Sequence, residues 1–265
     1  MNLVLYYKNS NIEAKERMNS FLEYMLRQGC DCVPVTKESP DKALSFKSAD
    51  FAVVFGGDGT VLEASASAAE YEVPMLCVNV GNLGFLSELS RSATNEEIAS
   101  LLNANAKIIE RMMLKIQAGG SEYTALNDAV IKSAGEKPLK LSAFVNGQLF
   151  DKYRSDGVIV ATPTGSTAYA LSAGGPILAP DLEAITFLPI CPHTLHSRPA
   201  VVTSNSEIEI VCPDNATLIV DGRKVGSFTG SMTVKRADKA ARFISVNNDF
   251  YKKLLDKMNR WGITH

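Results

Sequence analysis

The sequence predicts an α/β layer followed by an all-β layer, and two observations carry that reading. Over roughly the first 95 residues, short apolar runs alternate with stretches of helical spacing, as in an open sheet covered by helices. From about residue 106 onward strands dominate and turn signals separate them, as in a β-sandwich or a related all-β layer.

The elements follow in order. Residues 3–7 (LVLYY) form an apolar run suited to a buried strand. Asn11 to Arg27 have helical spacing that predicts Met18, Leu22, Met25 and Leu26 on one core-facing stripe, with Gly29 as the stop. A short strand is expected over 31–36 and a turn at Pro40. Phe51-Ala52-Val53-Val54-Phe55 is apolar throughout, which fits a central parallel strand buried on both faces. A helix is expected from Val61 to about Glu70, and a strand from Met75 to Asn79 after Pro74.

In the second half, Asn146-Gly147 lies between apolar flanks within 140–150, and Asp221-Gly222 follows the apolar run 217–220. Both predict hairpins, because the tightest hairpin turns need positive φ at two successive residues. Glu207–Cys212, Met232–Arg236 and Arg242–Val246 favour strands, and Phe250–Arg260 a closing helix.

Composition narrows the function. Hydrophobic residues make up 46% and charged residues 21% of 265 residues, which suits a globular chain with a sizeable core. The net charge of −2 and the scattered Lys and Arg give no basic stripe for nucleic acid. No stretch approaches the roughly 20 apolar residues of a membrane span, and the opening segment is too short for a signal-peptide core. Five cysteines fit neither a zinc spacing nor a disulfide framework and predict free thiols in a reducing cytoplasm.

The sharpest motif is Gly56-Gly57-Asp58-Gly59-Thr60, between a buried strand and a helix. Ligands of open α/β sheets bind at the carboxyl ends of strands. Gly56, Gly57, Gly59 and Thr60 offer backbone N–H groups and a helix start to phosphate oxygens. A carboxylate among phosphates is electrostatically unfavourable, so Asp58 points to cation binding or proton acceptance; the plainer alternative is that it caps the helix. There is neither a G-x-x-x-x-G-K-[ST] loop nor a strand-linked G-x-G-x-x-G.

The second motif runs from Thr162 to Pro176, TPTGSTAYALSAGGP, after the apolar run 157–161. Its hydroxyls and glycines suit ribose and phosphate groups, and Tyr169 could stack on a flat ring. Asn127-Asp128 can bond an adenine edge and ribose hydroxyls, or form a turn. Arg154 and Asp156 could pair on the surface, or meet a phosphate and a base amine. His193 and His196, three apart with no further ligand nearby, are weak evidence for zinc.

Taken together, these motifs resemble the NAD kinase family over the whole chain. GGDGT, Gly81-Asn82-Leu83-Gly84-Phe85-Leu86, Asn127-Asp128, Arg154-Ser155-Asp156-Gly157, the Thr162–Pro176 run, Pro192-His193-Thr194-Leu195 and Arg198-Pro199 occur in the family's order. Lipid kinases and 6-phosphofructokinases share GGDGT; the TPTGSTAYALSAGGP run is specific. The resemblance implies an N-terminal Rossmann-like α/β domain over 1–100, a C-terminal NAD-binding β-sandwich over 101–240, and a segment 241–265 that packs back on the first domain, with the active site between the domains.

The resemblance further implies phosphoryl transfer from ATP, or another triphosphate or polyphosphate, to the 2′-hydroxyl of NAD's adenosine ribose. Asp58 would be the catalytic proton acceptor. Asp58, Gly59, Asn127, Asp128, Arg154, Asp156, Thr167, Ala168, Tyr169, Ala170, Leu171, Ser172 and Arg223 would bind NAD. Arg223 stands where relatives often have Gln, and Asp128 where many have the longer Glu. A divalent cation, Mg²⁺ or Mn²⁺, is implied with no side chain assigned as its ligand, in a cytoplasmic homodimer or homotetramer. A lipid kinase would share GGDGT without the TPTGSTAY run, and a nucleotide sensor would bind NAD or NADP without turnover.

Overall fold

The protein is described by a computed structural model that covers residues 1–81, 84–194, 196–246 and 250–262; at 257 and 260–262 it describes the backbone alone. The chain forms two compact units, Met1–Glu110 with Ala241–His265, and Arg111–Ala240.

The first unit begins β1 (Asn2–Tyr7), α1 (Ile12–Arg27), β2 (Asp31–Val35), β3 (Phe51–Phe55), α2 (Asp58–Glu70), β4 (Met75–Val78), α3 (Asn95–Ser100) and β5 (Ile108–Arg111). Asn11 caps α1 by accepting from the Ala14 N–H, and Gly29 ends it at φ 76°. The buried face of α1 is Ala14, Met18, Phe21 and Met25. This corrects the predicted stripe: Leu22 is half-buried and Leu26 is 54% exposed. The helix is turned so that Phe21 meets Phe55 of β3, ring centroids 5.7 Å apart. Burying so large a ring contributes about 1.5–3 kcal/mol, which decides the rotation.

β3 pairs in parallel with β1 on one side and β4 on the other. Ala52 to Phe55 are fully buried, as an apolar run covered on both faces requires. The helix after it starts at Asp58 rather than at Val61. The Gly57 carbonyl accepts from the N–H of both Thr60 and Val61, so the first turn closes over the glycines.

The second unit contains β6 (Leu114–Ala118), β7 (Ser121–Ala125), β8 (Asp128–Ser133), β9 (Leu139–Val145), β10 (Gln148–Ser155), β11 (Gly157–Ala161), the one-turn helix α4 (Tyr169–Ser172), β12 (Ala184–Ile190), β13 (Ala200–Thr203), β14 (Ile208–Val220) and β15 (Arg223–Arg236). All of its ladders are antiparallel. The path is β13-β12-β11-β8-β14-β15-β6-β7, and β9 joins β14 while carrying β10.

β14 serves two neighbours. Its residues 216–220 pair with β8 and 208–211 with β9, across a register shift between Cys212 and Ala216. This lets the sheet double over one core, where Ile131, Val160, Phe187, Ile210, Leu218 and Met232 meet. Both expected hairpins are present. Asn146 and Gly147 have φ 51° and 77°, and Asp221 and Gly222 have 48° and 73°.

The chain then returns to the first unit as β16 (Ala241–Ile244) and α5 (Phe250–Gly262). β16 is shorter than the strand expected at 242–246 and lies parallel beside β4, giving the order β2-β1-β3-β4-β16-β5. Among the described residues, no helix is long and apolar enough to cross a membrane.

Candidate active site

In the first sheet, β2 follows β1 on one side while β3 and β4 follow on the other. The strand order reverses there, where a crevice opens at the carboxyl ends of open α/β sheets. GGDGT leaves the carboxyl end of β3 at this point. Gly56 is fully enclosed: a Cβ there would lie 2.3 Å from Thr60 Oγ1. Gly57 is the N-cap of α2, Asp58 is its first residue and Gly59 is exposed.

Gly57 carries no side chain to cap the helix, and Asp58 stands in its first turn. The Asp58 carboxylate accepts from the Phe85 N–H at 2.9 Å and the Leu86 N–H at 3.0 Å. Gly84 makes the approach possible, since a Cβ on it would lie 2.0 Å from Asp58 Oδ1. Asn82 and Leu83 of this motif lie outside the described residues.

In the second unit, Asn127 and Asp128 stand at the turn from β7 into β8. The backbone from Leu126 to Asp128 is bonded on both sides. Asp221 accepts from the N–H groups of Leu126, Asn127 and Asp128 at 2.9, 2.7 and 3.2 Å. Thr162 donates its hydroxyl to the Leu126 carbonyl at 2.6 Å and its N–H to the Asn127 carbonyl at 2.9 Å. Gly165 sits against the same turn, where a Cβ would lie 2.1 Å from the Asn127 oxygen. Asp128 is 4% exposed. Burial, reinforced by the neighbouring Asp221 charge, pushes its carboxyl up to about 7.

The Thr162–Pro176 run folds as a tight 3₁₀ turn over 165–167 and then α4. Several hydroxyls expected to face a ligand bond their own backbone. Ser166 donates to the Pro163 carbonyl and accepts from the Leu178 N–H, and Thr167 donates to the Thr164 carbonyl. Ala170 is fully buried in the small core of Val130, Ile159, Ala161 and Leu188. Thr167, Ala168, Tyr169 and Leu171 are half-buried and Ser172 is exposed. Lys132 Nζ lies 6.0 Å from the Tyr169 ring centroid, so one face of this ring already meets a cation.

Arg154 and Asp156 are both exposed, and among the described residues no ion pair joins them. Arg154 is the cross-strand partner of Lys140, beside a cavity of about 910 Å³ that also borders Lys137 and Asp214. Arg223 opens β15, and its charge favours the ionised form of Asp221. His196 lies 3.6 Å from Asp151, and the His193 N–H donates to the Arg154 carbonyl. Leu195, between them, is outside the described residues.

Sequence reasoning placed Asp221 in a hairpin turn and Thr162 and Gly84 in motifs, but foresaw none of the contacts they make here. Only Asp221 left a trace, since Asn-Gly would form its hairpin turn at least as well as Asp-Gly.

Residues 8–106 match the family described as ATP-NAD kinase N-terminal domain, and residues 126–246 the ATP-NAD kinase C-terminal domain. The NAD kinase of Methanopyrus kandleri is 40% identical over 219 residues, 81% of this chain and 79% of that protein. The NAD kinase of Methanocorpusculum labreanum is 39% identical over 265 residues, 94% of this chain and 97% of its own. Among solved structures, an NAD kinase from Archaeoglobus fulgidus in complex with ATP is similar at TM-score 0.81 and 27% identity, covering 98% of this chain and 99% of that one. Yeast NADH kinase complexed with NADH shares the fold at TM-score 0.86 and 23% identity, covering 100% and 89%. With both family domains matched and relatives this similar over most of both chains, the chain belongs to the NAD kinase family.

Proposed function

We infer that the protein transfers the terminal phosphoryl group of ATP, or of another triphosphate or polyphosphate, to the 2′-hydroxyl of the adenosine ribose of NAD. The observation that carries this reading is Asp58: a carboxylate just beyond the carboxyl end of β3 that is oriented by the backbone amides of Phe85 and Leu86. The 2′-oxygen forms a bond to the γ-phosphorus as the bond from that phosphorus to the leaving diphosphate breaks. The hydroxyl proton passes to Asp58. A positioned base of this kind contributes roughly 10²–10⁴-fold. The N–H groups of Gly56 and Thr60, expected to face phosphate, instead donate to the Val78 and Gly57 carbonyls at 3.0 and 2.9 Å; those of Gly57, Asp58 and Gly59 are proposed to meet donor phosphates.

Asn127, Asp128, Arg154, Asp156, Arg223 and residues 167–172 are proposed to hold NAD. The buried Ala170 would contribute through its backbone, because its methyl group is packed inside. Asp128, titrating near neutrality, can donate as well as accept a hydrogen bond to ribose.

Phosphoryl transfer rests on positioning and charge neutralisation. A divalent cation, Mg²⁺ or Mn²⁺, would neutralise the donor's phosphates when bound. Magnesium takes phosphate oxygens and water as most of its ligands. A cytoplasmic setting is supported by the sequence's reading of the cysteines, and a dimer or tetramer by the family resemblance. Half-exposed Leu149 and Phe150 on β10 offer an apolar contact for a second copy.

The test is to incubate the protein with NAD, ATP and Mg²⁺, follow NADP with an NADP-specific dehydrogenase, and run Asp58→Asn alongside. NADP from wild type, nearly lost in the variant while NAD still binds, is expected. NAD binding with no NADP from any donor would favour the sensor reading. Near-normal turnover by the variant would remove Asp58 as the base.

A further inference from the structure

The turn at 126–128 is bonded more completely than a surface turn needs. All three of its N–H groups go to one carboxylate, Asp221, from a position 93 to 95 residues away in sequence. The Asp221 N–H returns to the Asp128 carbonyl at 3.0 Å, and Thr162 takes the carbonyls of Leu126 and Asn127. Every backbone donor and acceptor of the three residues is thereby fixed from two directions. The side chains of Asn127 and Asp128 leave a backbone that has no remaining freedom to reorient.

Asp221 is also the first central residue of the β14–β15 hairpin, at φ 48°. The turn alone does not explain an aspartate there. Asn tolerates positive φ at least as well and is the preferred residue of such turns. What Asp adds is a second acceptor oxygen and a charge. Oδ2 accepts from Leu126 while Oδ1 accepts from both Asn127 and Asp128. An amide would keep only one of the two acceptor atoms, because its nitrogen donates and cannot accept, and either Leu126 or the Asn127–Asp128 pair would lose its partner.

We propose that Asp221 is a positioning residue for NAD: its carboxylate, bound to the amides of Leu126, Asn127 and Asp128, sets the direction in which the Asn127 and Asp128 side chains meet the dinucleotide. The proposal rests on the reading that Asn127 and Asp128 hold NAD. It predicts that Asp221 acts on recognition of the acceptor and not on recognition of the donor. A residue that merely stabilised the sandwich would lower the fraction of folded enzyme and leave both KM values alone.

The experiment compares steady-state kinetics of wild type, Asp221→Asn, Asp128→Asn and Thr162→Val, each checked for native thermal unfolding. Asp221→Asn keeps the hairpin turn and loses one acceptor and the charge. Its KM for NAD is expected to rise about tenfold or more, as the loss of charge-assisted bonds predicts, with the KM for ATP unchanged. Thr162→Val removes the hydroxyl on the Leu126 carbonyl and should shift the same KM in the same direction. If Asp128→Asn raises the KM for NAD while Asp221→Asn and Thr162→Val leave it alone, NAD binds at this turn and the positioning role is overturned. If Asp128→Asn itself leaves that KM unchanged, the reading of the turn fails and the proposal fails with it. Should Asp221→Asn not fold, Thr162→Val decides: an unchanged KM for NAD overturns the proposal.

Discussion

Gly84 lies against the Asp58 carboxylate so closely that a Cβ built on it would fall 2.0 Å from Oδ1 and 3.0 Å from Oδ2. The next two residues grip the same carboxylate through their amides. The smallest side chain at 84 must therefore displace Asp58 or tear those two bonds. Gly84→Ala is expected to lower kcat about tenfold to a hundredfold, the scale of an ångström-sized misplacement of a reacting group. NAD affinity measured by calorimetry should stay within about twofold, since Asp58 is one of many proposed NAD contacts. A variant with wild-type kcat would show that this loop does not position the carboxylate.

Gly165 makes the corresponding demand on the second unit, with its missing Cβ 2.1 Å from the Asn127 carbonyl oxygen. Here the obstacle is backbone, which cannot rotate away like a side chain. The Gly165 N–H also donates to Thr162 Oγ1 at 3.0 Å, so displacement loosens the Thr162 contact to the same turn. Gly165→Ala should cost about 1–3 kcal/mol by overpacking. Denaturant unfolding would measure that loss, and the KM for NAD should rise in parallel.

Asp128 gives stability a pH dependence whose sign is fixed. Its carboxyl is raised from 3.8 to about 7 on folding, by burial first and by the Asp221 charge second. Between those values the folded chain holds a proton that the unfolded chain has released. This contribution is complete below pH 4 and is lost as pH rises through 7. Its full size is on the order of 4 kcal/mol at about 1.4 kcal/mol per unit. Unfolding free energies from pH 4 to 8 should fall more steeply in wild type than in Asp128→Asn; equal slopes would show that Asp128 ionises normally in the fold.

Lys253 on α5 donates to the Ser87 carbonyl and pairs with Glu88, both at 3.0 Å. The two charged side chains are only 18% and 10% exposed, so solvent screens them weakly. Lys253→Met is expected to destabilise the first unit by about 1–3 kcal/mol and to expose α5 to protease. A double-mutant cycle with Glu88→Gln would measure the coupling, and a coupling near zero would mean that packing alone holds the helix.

Much of the architecture was legible because it depends on neighbours in sequence. The hairpins at Asn146-Gly147 and Asp221-Gly222 follow from local φ requirements, and the buried β3 from an unbroken apolar run. Boundaries set by longer interactions were less legible. α2 begins at Asp58 because the Gly57 carbonyl captures two N–H groups, although glycine is a poor helix former. Leu26 looked like core by spacing, yet the Phe21–Phe55 contact turns that side of α1 to solvent.

By itself the sequence determined the α/β and all-β halves, the strand end that carries GGDGT, and the family to which the motifs point. These depend on periodicity, turn chemistry and short contiguous runs, all properties of adjacent residues. The tertiary structure alone decided that Asp58 accepts from the amides of Phe85 and Leu86, and that Asp221 reaches back to hold residues 126–128. Those bonds join residues 27 to 95 positions apart. A carboxylate has no local preference among distant amides, so its partners are chosen only when the packed strands bring one set within hydrogen-bonding distance.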